Sequence, residues 1–166
     1  MNANRQKSIM VSACLLGLDT RYNGISKKNQ AVIDYLTEEK WTVIPVCPEQ
    51  LAGLPTPRPA TRFQKGDGDA VLHGSGIVMN SEQQIVNDAF IKGAEQVLQI
   101  AALNRCRVAL FKERSPSCGV HHIYREGQIV SGQGVSTACL KRHRISVFSE
   151  DELARLDTID AGEENK

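Results

Sequence analysis

The stretch "CRVALFKERSPSCG", residues 106–119, joins an apolar run directly to a turn rich in serine and proline. The apolar part, residues 106–111, has the length and the valine, leucine and phenylalanine content of a buried strand. The segment Ser-Pro-Ser-Cys-Gly is typical of a tight turn. Packing does not explain a cysteine in such a turn, so Cys118 is a candidate functional residue placed just after a strand.

Two other cysteines follow predicted strands in the same way. "SIMVSAC", residues 8–14, is a short apolar run that ends at Cys14, and "WTVIPVC", residues 41–47, ends at Cys47. The carboxyl ends of neighbouring parallel strands lie at one edge of a sheet, where ligands bind in α/β proteins. We therefore expect Cys14, Cys47 and Cys118 to converge.

Predicted strands and helices alternate along the chain, which favours an α/β fold. We expect a mostly parallel sheet with helices on both faces, a Rossmann-like three-layer arrangement with short hairpins added. Four prolines exclude a continuous helix or sheet over residues 47–69, which we interpret as an extended loop lining a site. The helices are predicted at about 27–39, 81–104, 134–144 and 150–156, a fourth strand at 145–149, and hairpins at 70–80 and 121–130.

Length and composition are those of an ordinary globular domain. The 166 residues predict one domain over 1–166, with a short helix and a frayed, solvated acidic tail over 150–166. The chain is 41% hydrophobic and 23% charged, as is usual for a globular protein. Its net charge of +1 gives no reason to expect binding to a nucleic-acid polymer or a membrane surface.

The five cysteines predict a reducing compartment. Their number is odd and no CxxC pair occurs, which excludes a zinc knuckle or a thioredoxin motif. "VSAC" imitates a lipoprotein cleavage site, but only Ile9, Met10 and Val11 separate the preceding charges from it. A signal core needs roughly 7–15 apolar residues, so we expect a cytoplasmic protein with reduced thiols.

Three converging thiols indicate a metal site. Thiolates select zinc, copper(I) or iron–sulfur clusters, and spacing alone does not choose among these. No fourth ligand is evident, because His121 and His122 fit the polar face of a hairpin, so one coordination position would stay open for catalysis. Cys106 begins a strand and Cys139 lies within a helix, where packing is the expected role.

Several motifs then resemble a known family. "VSACLLG", "RYNG", "VCPEQLAGLPTPRP", "KERSPSCG" and "GVSTACL" follow one another between about residues 8 and 150 and resemble the thiouracil desulfidase (TudS-like) family. The resemblance implies a [4Fe–4S] cluster held by Cys14, Cys47 and Cys118, with one open iron. It also implies that sulfur is removed from thiolated bases such as 2-thiouracil without redox chemistry, with Glu49 and Ser115 as catalytic residues.

Substrate contacts and departures from the family pattern complete the prediction. Tyr22 is a candidate for stacking on a flat base, and Arg58, Arg62 and Lys112 flank the site loops. Asn23 stands where the family pattern has aspartate, and Ala60 where it has proline, which bears on substrate fit. We expect a small thiolated base or nucleoside as substrate and a monomer or homodimer.

The sequence is also compatible with two other functions. One is a hydrolase in which a zinc ion held by the three cysteines activates water. The other is a non-catalytic protein that carries or senses an iron–sulfur cluster or sulfide. No GxGxxG, GxxxxGK[ST] or GxSxG motif points to a nucleotide cofactor or a nucleophilic serine.

Overall fold

The computed structural model describes residues 7–163. Its elements, in chain order, are β1 (Ser8–Ser12), a 3₁₀ helix (Ala13–Leu16), α1 (Gln30–Glu38), β2 (Thr42–Val46), α2 (Pro48–Leu51), β3 (Thr61–Lys65), α3 (Gly68–Leu72), β4 (Ile77–Asn80), α4 (Asn87–Leu103), β5 (Val108–Phe111), β6 (His122–Arg125), β7 (Gln128–Ser131), α5 (Val135–Arg142), β8 (Ser146–Ser149) and α6 (Leu153–Glu163).

A parallel sheet of four strands forms the centre of the molecule, in the order β2-β1-β5-β8. Alternate residues of β1 are buried on opposite faces of this sheet. Ile9 and Val11 pack with Val32 of α1 on one face, whereas Met10 packs with Val97 of α4 on the other. The predicted α/β class, with a parallel sheet covered by helices on both faces, is confirmed.

A second, mixed sheet adds a further layer that the sequence indicated only as hairpins. Its order is β4-β3-β6-β7, in which β3 pairs antiparallel with β4 and parallel with β6. Phe63 of β3 and Ile123 of β6 pack with Phe90 of α4 and Val135 of α5. Helices α4 and α5 therefore separate the two sheets.

The segment 47–80 is more regular than its prolines and glycines predicted. Pro48 begins the one-turn helix α2, where its missing N–H costs nothing. The predicted hairpin over 70–80 is wrong, because Asp67 caps helix α3 through Ala70 N–H (3.1 Å) and β4 pairs with β3 instead. Gly68 allows this helix to approach α5, since a Cβ there would lie 2.2 Å from Gly134 O.

Two helices begin later than predicted. Asn29, not Ser26, caps α1, accepting a hydrogen bond from Val32 N–H. Helix α4 begins at Asn87 and not near Ser81, because Asn80 Oδ1 accepts from the N–H groups of Glu82 and Gln84 and holds a turn there.

The last part of the chain follows the predicted order, with one correction to its acidic end. The hairpin β6–β7, helix α5 and strand β8 are confirmed. Helix α6 extends past the predicted end, and the side chains of Glu150 and Glu152 are only 10% and 14% exposed, so these two acids are not the solvated tail that was expected. Residues 164–166 of the predicted tail lie outside the described residues.

Among helices within residues 7–163, none has the length and apolar character needed to cross a membrane.

Candidate active site

A cavity of about 660 Å³ opens beyond the carboxyl ends of β1, β2 and β5. Cys14 enters it from the 3₁₀ helix after β1, Cys47 from the start of α2, and Cys118 from the loop after β5. The structure thus brings the three thiols together from distant parts of the sequence. The other predicted site residues line the same cavity: Tyr22, Glu49, Arg58, Arg62, Lys112 and Ser115.

The three thiols are poor anions in this environment. Burial raises the pKa of Cys14 from 9.0 to about 11 and that of Cys118 well above 9.0. Burial and the Glu49 carboxylate raise the pKa of Cys47. Buried sulfur donors of this kind suit a soft cationic centre, which stabilises the thiolate form.

The side chains that line the cavity decide which kind of metal cofactor it suits. Within residues 7–163, no three His, Cys, Asp or Glu side chains form a group that could hold a single metal ion. The fit to an iron–sulfur cluster rests instead on three thiols that line one cavity of about 660 Å³. Cysteine thiolates are the usual ligands of such clusters.

Cys106 and Cys139 lie in the core and do not line the cavity. Cys106 is 3% exposed, with its sulfur 3.3 Å from Ser8 O and 3.2 Å from Val108 O. Cys139 packs in the cluster that contains Phe90 and Val135. Both positions agree with the predicted packing role.

Glu49 and Arg58 meet in the wall of the cavity. Glu49 Oε2 lies 3.8 Å from Cys47 Sγ and accepts a hydrogen bond from Arg58 Nη2 at 3.4 Å. The Arg58 side chain is 5% exposed, and its guanidinium also donates to Thr20 O at 2.9 Å and Thr56 Oγ1 at 3.0 Å. Arg58 therefore orients Glu49 and joins two loops, a role that the sequence did not reveal.

The Ser115 hydroxyl is part of the turn that carries Cys118. Its oxygen accepts hydrogen bonds from the N–H groups of Ser117 (3.2 Å) and Cys118 (3.1 Å). Both acceptor positions of the hydroxyl are then used, and the O–H remains free to donate. Ser115 is accordingly suited to donate a hydrogen bond, not to accept a proton.

Lys112 is held at the cavity by an acid that the sequence analysis assigned to a solvated tail. Lys112 Nζ lies 2.8 Å from Glu150 Oε1 and 3.1 Å from Glu113 O. Its backbone N–H donates to Ser12 Oγ at 2.9 Å. These contacts fix where the ammonium group lies.

Two aromatic rings line the cavity. Tyr22 is 42% exposed, with the Arg21 guanidinium carbon 5.7 Å from the ring centroid. Tyr124, on β6, is 41% exposed and was missed by the sequence analysis. The alternation of exposed and buried residues along β6 was the available signal, since it sets Tyr124 on the face opposite the buried Ile123.

Glu113 is a second residue that the sequence analysis missed. It is 7% exposed, and its Oε1 accepts hydrogen bonds from the N–H groups of Val120, His121 and His122. Burial alone would raise the pKa of this carboxyl, but the hydrogen bonds from these N–H groups hold it below 4.5. Glu113 therefore stays ionised inside the protein.

Known proteins are similar to this chain over most of its length. Residues 9–152 match the sequence profile of the 2-thiouracil desulfurase family. The uncharacterized protein YbbK of Bacillus subtilis strain 168 is 34% identical over 148 residues, which cover 87% of this chain and 97% of that protein. A solved structure, the [4Fe-4S]-dependent thiouracil desulfidase TudS, is similar with a TM-score of 0.79 and 38% identity, covering 94% of this chain and 99% of that one.

Proposed function

This chain belongs to the 2-thiouracil desulfurase family, and we propose that it is a [4Fe–4S]-dependent desulfidase. It replaces the sulfur of a small thiolated base, of which 2-thiouracil is the type, by oxygen from water. The observation that carries the proposal is a single cavity lined by three thiols, a carboxylate and a serine hydroxyl. The similarity to TudS, itself a [4Fe-4S]-dependent thiouracil desulfidase, supports it.

Cys14, Cys47 and Cys118 are the proposed ligands of the cluster. Each follows a different strand of the parallel sheet, so the folded sheet holds the three sulfurs around one space. A cluster held by these three residues alone would have one iron without a protein ligand. When bound, the cluster supplies a soft Lewis acid that polarises the carbon–sulfur bond.

The chain's own residues then position the reactants and move the proton. Glu49, held by Arg58, is the proposed base that takes a proton from the attacking water. Ser115 donates a hydrogen bond to the substrate, and Tyr22 and Tyr124 offer flat surfaces for its ring. The balance is one thiocarbonyl and one water giving one carbonyl and hydrogen sulfide. The carbon keeps its oxidation state, so no electron donor is needed.

The size of the cavity is consistent with a small substrate. A volume of about 660 Å³ lies within the usual range of small-molecule sites, roughly 300–1,000 Å³. We propose that the substrate is a free thiolated base or its nucleoside, not a nucleic-acid polymer.

We further propose that the protein is a monomer or homodimer that works in the cytoplasm. The reducing conditions there keep the thiols available for the cluster.

Anaerobic purification followed by a turnover assay tests the proposal. Iron and acid-labile sulfide are measured per chain, and the protein is then incubated with 2-thiouracil without reductant. We expect about four irons and four sulfides, with uracil and sulfide as products. A colourless, zinc-loaded protein would support the zinc hydrolase instead. A loaded cluster without turnover of any thiolated base would support a carrier or sensor.

A further inference from the structure

We propose that Glu113 is a positioning residue that fixes the exit of the Cys118 loop, residues 114–122, and thereby the direction of the Cys118 sulfur. The importance of that sulfur rests on the proposed function. The role of Glu113 is a property of the loop itself and is present in the metal-free protein.

One carboxylate oxygen of Glu113 accepts hydrogen bonds from the N–H groups of consecutive residues. Glu113 Oε1 accepts from Val120 at 2.8 Å, from His121 at 2.9 Å and from His122 at 2.9 Å, with a longer contact of 3.4 Å to Arg114 N–H. Successive N–H groups that point to one anion form a concave nest. Hydrogen bonds to a charged acceptor are stronger than those to a neutral one.

The carboxylate is itself firmly placed. Glu113 is the second residue after β5, and its N–H donates to Glu150 Oε2 at 2.7 Å. Glu113 is 7% exposed as a residue, so water does not readily replace its carboxylate as the acceptor. The nest is thus anchored to the central sheet.

The other end of the loop is held by different contacts. Val135 N–H of α5 donates to Pro116 O at 2.9 Å, and Ser136 N–H donates to Ser117 O at 2.9 Å. Cys118 lies between this attachment and the nest, with its carbonyl oxygen bound by Thr137 Oγ1. Without Glu113, the N–H groups of Val120, His121 and His122 lose their shared acceptor. Val120 is only 3% exposed, so its N–H gains a water partner only if the loop exit opens.

Site-resolved alkylation of the metal-free protein tests the proposal. Wild type, Glu113→Ala and Glu113→Gln are treated with iodoacetamide under reducing conditions, and modification of each cysteine is followed by mass spectrometry. Cys106, which is 3% exposed and outside the cavity, serves as the internal reference. We expect Glu113→Ala to raise the Cys118 rate relative to Cys106 by about tenfold or more. Glu113→Gln keeps a carbonyl acceptor and is expected to remain within about threefold of wild type.

A matched control removes another contact of the same loop. Glu152→Gln weakens the 2.8 Å contact between Glu152 and the His121 ring but leaves the nest intact, so Cys118 should stay within about twofold of wild type. If Glu113→Ala does not fold, Glu113→Asp keeps the charge and shortens the side chain. It is expected to raise the Cys118 rate selectively, by a smaller factor.

The outcomes separate this proposal from the proposed function. Equal Cys118 rates in wild type, Glu113→Ala and Glu113→Asp would overturn the positioning role, as would parallel increases at Cys118 and Cys106. Reconstitution with iron and sulfide, followed by release to a chelator, gives a second readout, and faster release from Glu113→Ala is expected. A wild type that takes up no cluster contradicts the proposed function, while the alkylation ratios still decide the role of Glu113.

Discussion

Two charged residues in the cavity wall, Glu49 and Arg58, hold each other in place. Glu49 and Arg58 form an ion pair with side chains 14% and 5% exposed, so the carboxylate has a fixed direction before substrate enters. Removing one partner leaves the other charge in a poorly solvated place. Substitutions that remove one of these two charges are therefore expected to disturb the site more than substitutions at exposed positions.

Replacing Glu49 by glutamine tests the base. Glu49→Gln keeps the size and a hydrogen-bond acceptor for Arg58 but cannot take a proton from water. We expect turnover of 2-thiouracil to fall about 10²-fold or more, with unchanged iron content. Glu82→Gln, at an exposed position, is the control and should retain full activity. Undiminished turnover by fully loaded Glu49→Gln would mean that another group takes the proton.

The five cysteines provide an internal comparison for ligation. Cys14→Ser, Cys47→Ser and Cys118→Ser are each expected to lose most of the iron, because they remove a thiolate from the cavity. Cys106→Ser and Cys139→Ser should keep the wild-type iron content, since neither sulfur reaches the cavity. Iron per folded chain is the measurement. Loss of iron from Cys106→Ser together with retention in Cys14→Ser would contradict the proposed ligand set.

Sequence patterns located the residues that approach the cavity but not those that hold them. Cys118 and Glu49 stand in short motifs after strands, where the pattern is local. Glu113 was missed because its partners are backbone N–H groups seven to nine positions further along the chain. Glu150 was assigned to the tail because its contact with Lys112 depends on β5 and β8 being neighbours.

Among the secondary-structure elements, α2 and α4 have to approach closely for Cys47 and Glu49 to reach the cavity. Gly93 makes this approach feasible, because a Cβ there would lie 2.3 Å from Pro48 O. Pro48 stands between Cys47 and Glu49 in sequence. The position of two site residues thus depends on the absence of a side chain on another helix.

Gly93→Ala is expected to destabilise the protein although alanine is the better helix former. Helix propensity alone favours alanine by about 1 kcal/mol, whereas the forced displacement of α2 costs typically about 1–3 kcal/mol. We expect a lower melting temperature and weaker iron retention. Gln99→Ala, on the exposed side of α4, is the control and should leave iron retention unchanged. A higher melting temperature with full iron retention in Gly93→Ala would contradict this packing argument.

Element types were predictable where the apolar residues of an element are buried, as in β1, β5 and α5. The predicted hairpin over 70–80 was wrong because helix α3 occupies the first part of that segment. Gly68 and Gly76 both lie against backbone atoms of neighbouring segments. Such contacts depend on tertiary structure, and a single sequence does not reveal them.

At the scale of the whole molecule, carboxylates with lowered pKa link stability to pH. Burial alone would raise the pKa of Glu152, but hydrogen bonds from Ser149 N–H, His121 and Arg155 outweigh it and bring the pKa from 4.5 to about 2. A carboxyl with a lower pKa in the folded state stabilises the protein above its unfolded value of 4.5. That contribution is lost as the pH falls towards 2.

Urea unfolding of the metal-free protein between pH 5 and pH 2 measures this contribution. We expect the free energy of unfolding to fall with pH more steeply in wild type than in Glu152→Gln, which has no carboxyl to protonate. Glu82→Gln should follow the wild-type slope. Identical slopes for wild type and Glu152→Gln would show that Glu152 does not contribute to the acid sensitivity.

The placement of the three thiols beyond the ends of β1, β2 and β5 has a consequence for how the proposed cluster would be inserted. During synthesis, a nascent chain carries two of the thiols long before β5 and Cys118 leave the ribosome. The cavity is complete only after the central sheet has formed. If the three thiols hold the cluster as proposed, we expect cluster insertion to follow folding. Purified metal-free protein should accordingly take up iron and sulfide without a refolding step, and its melting temperature should rise on loading. If the metal-free protein takes up iron and sulfide only after it has been denatured, the cluster enters before the central sheet has folded.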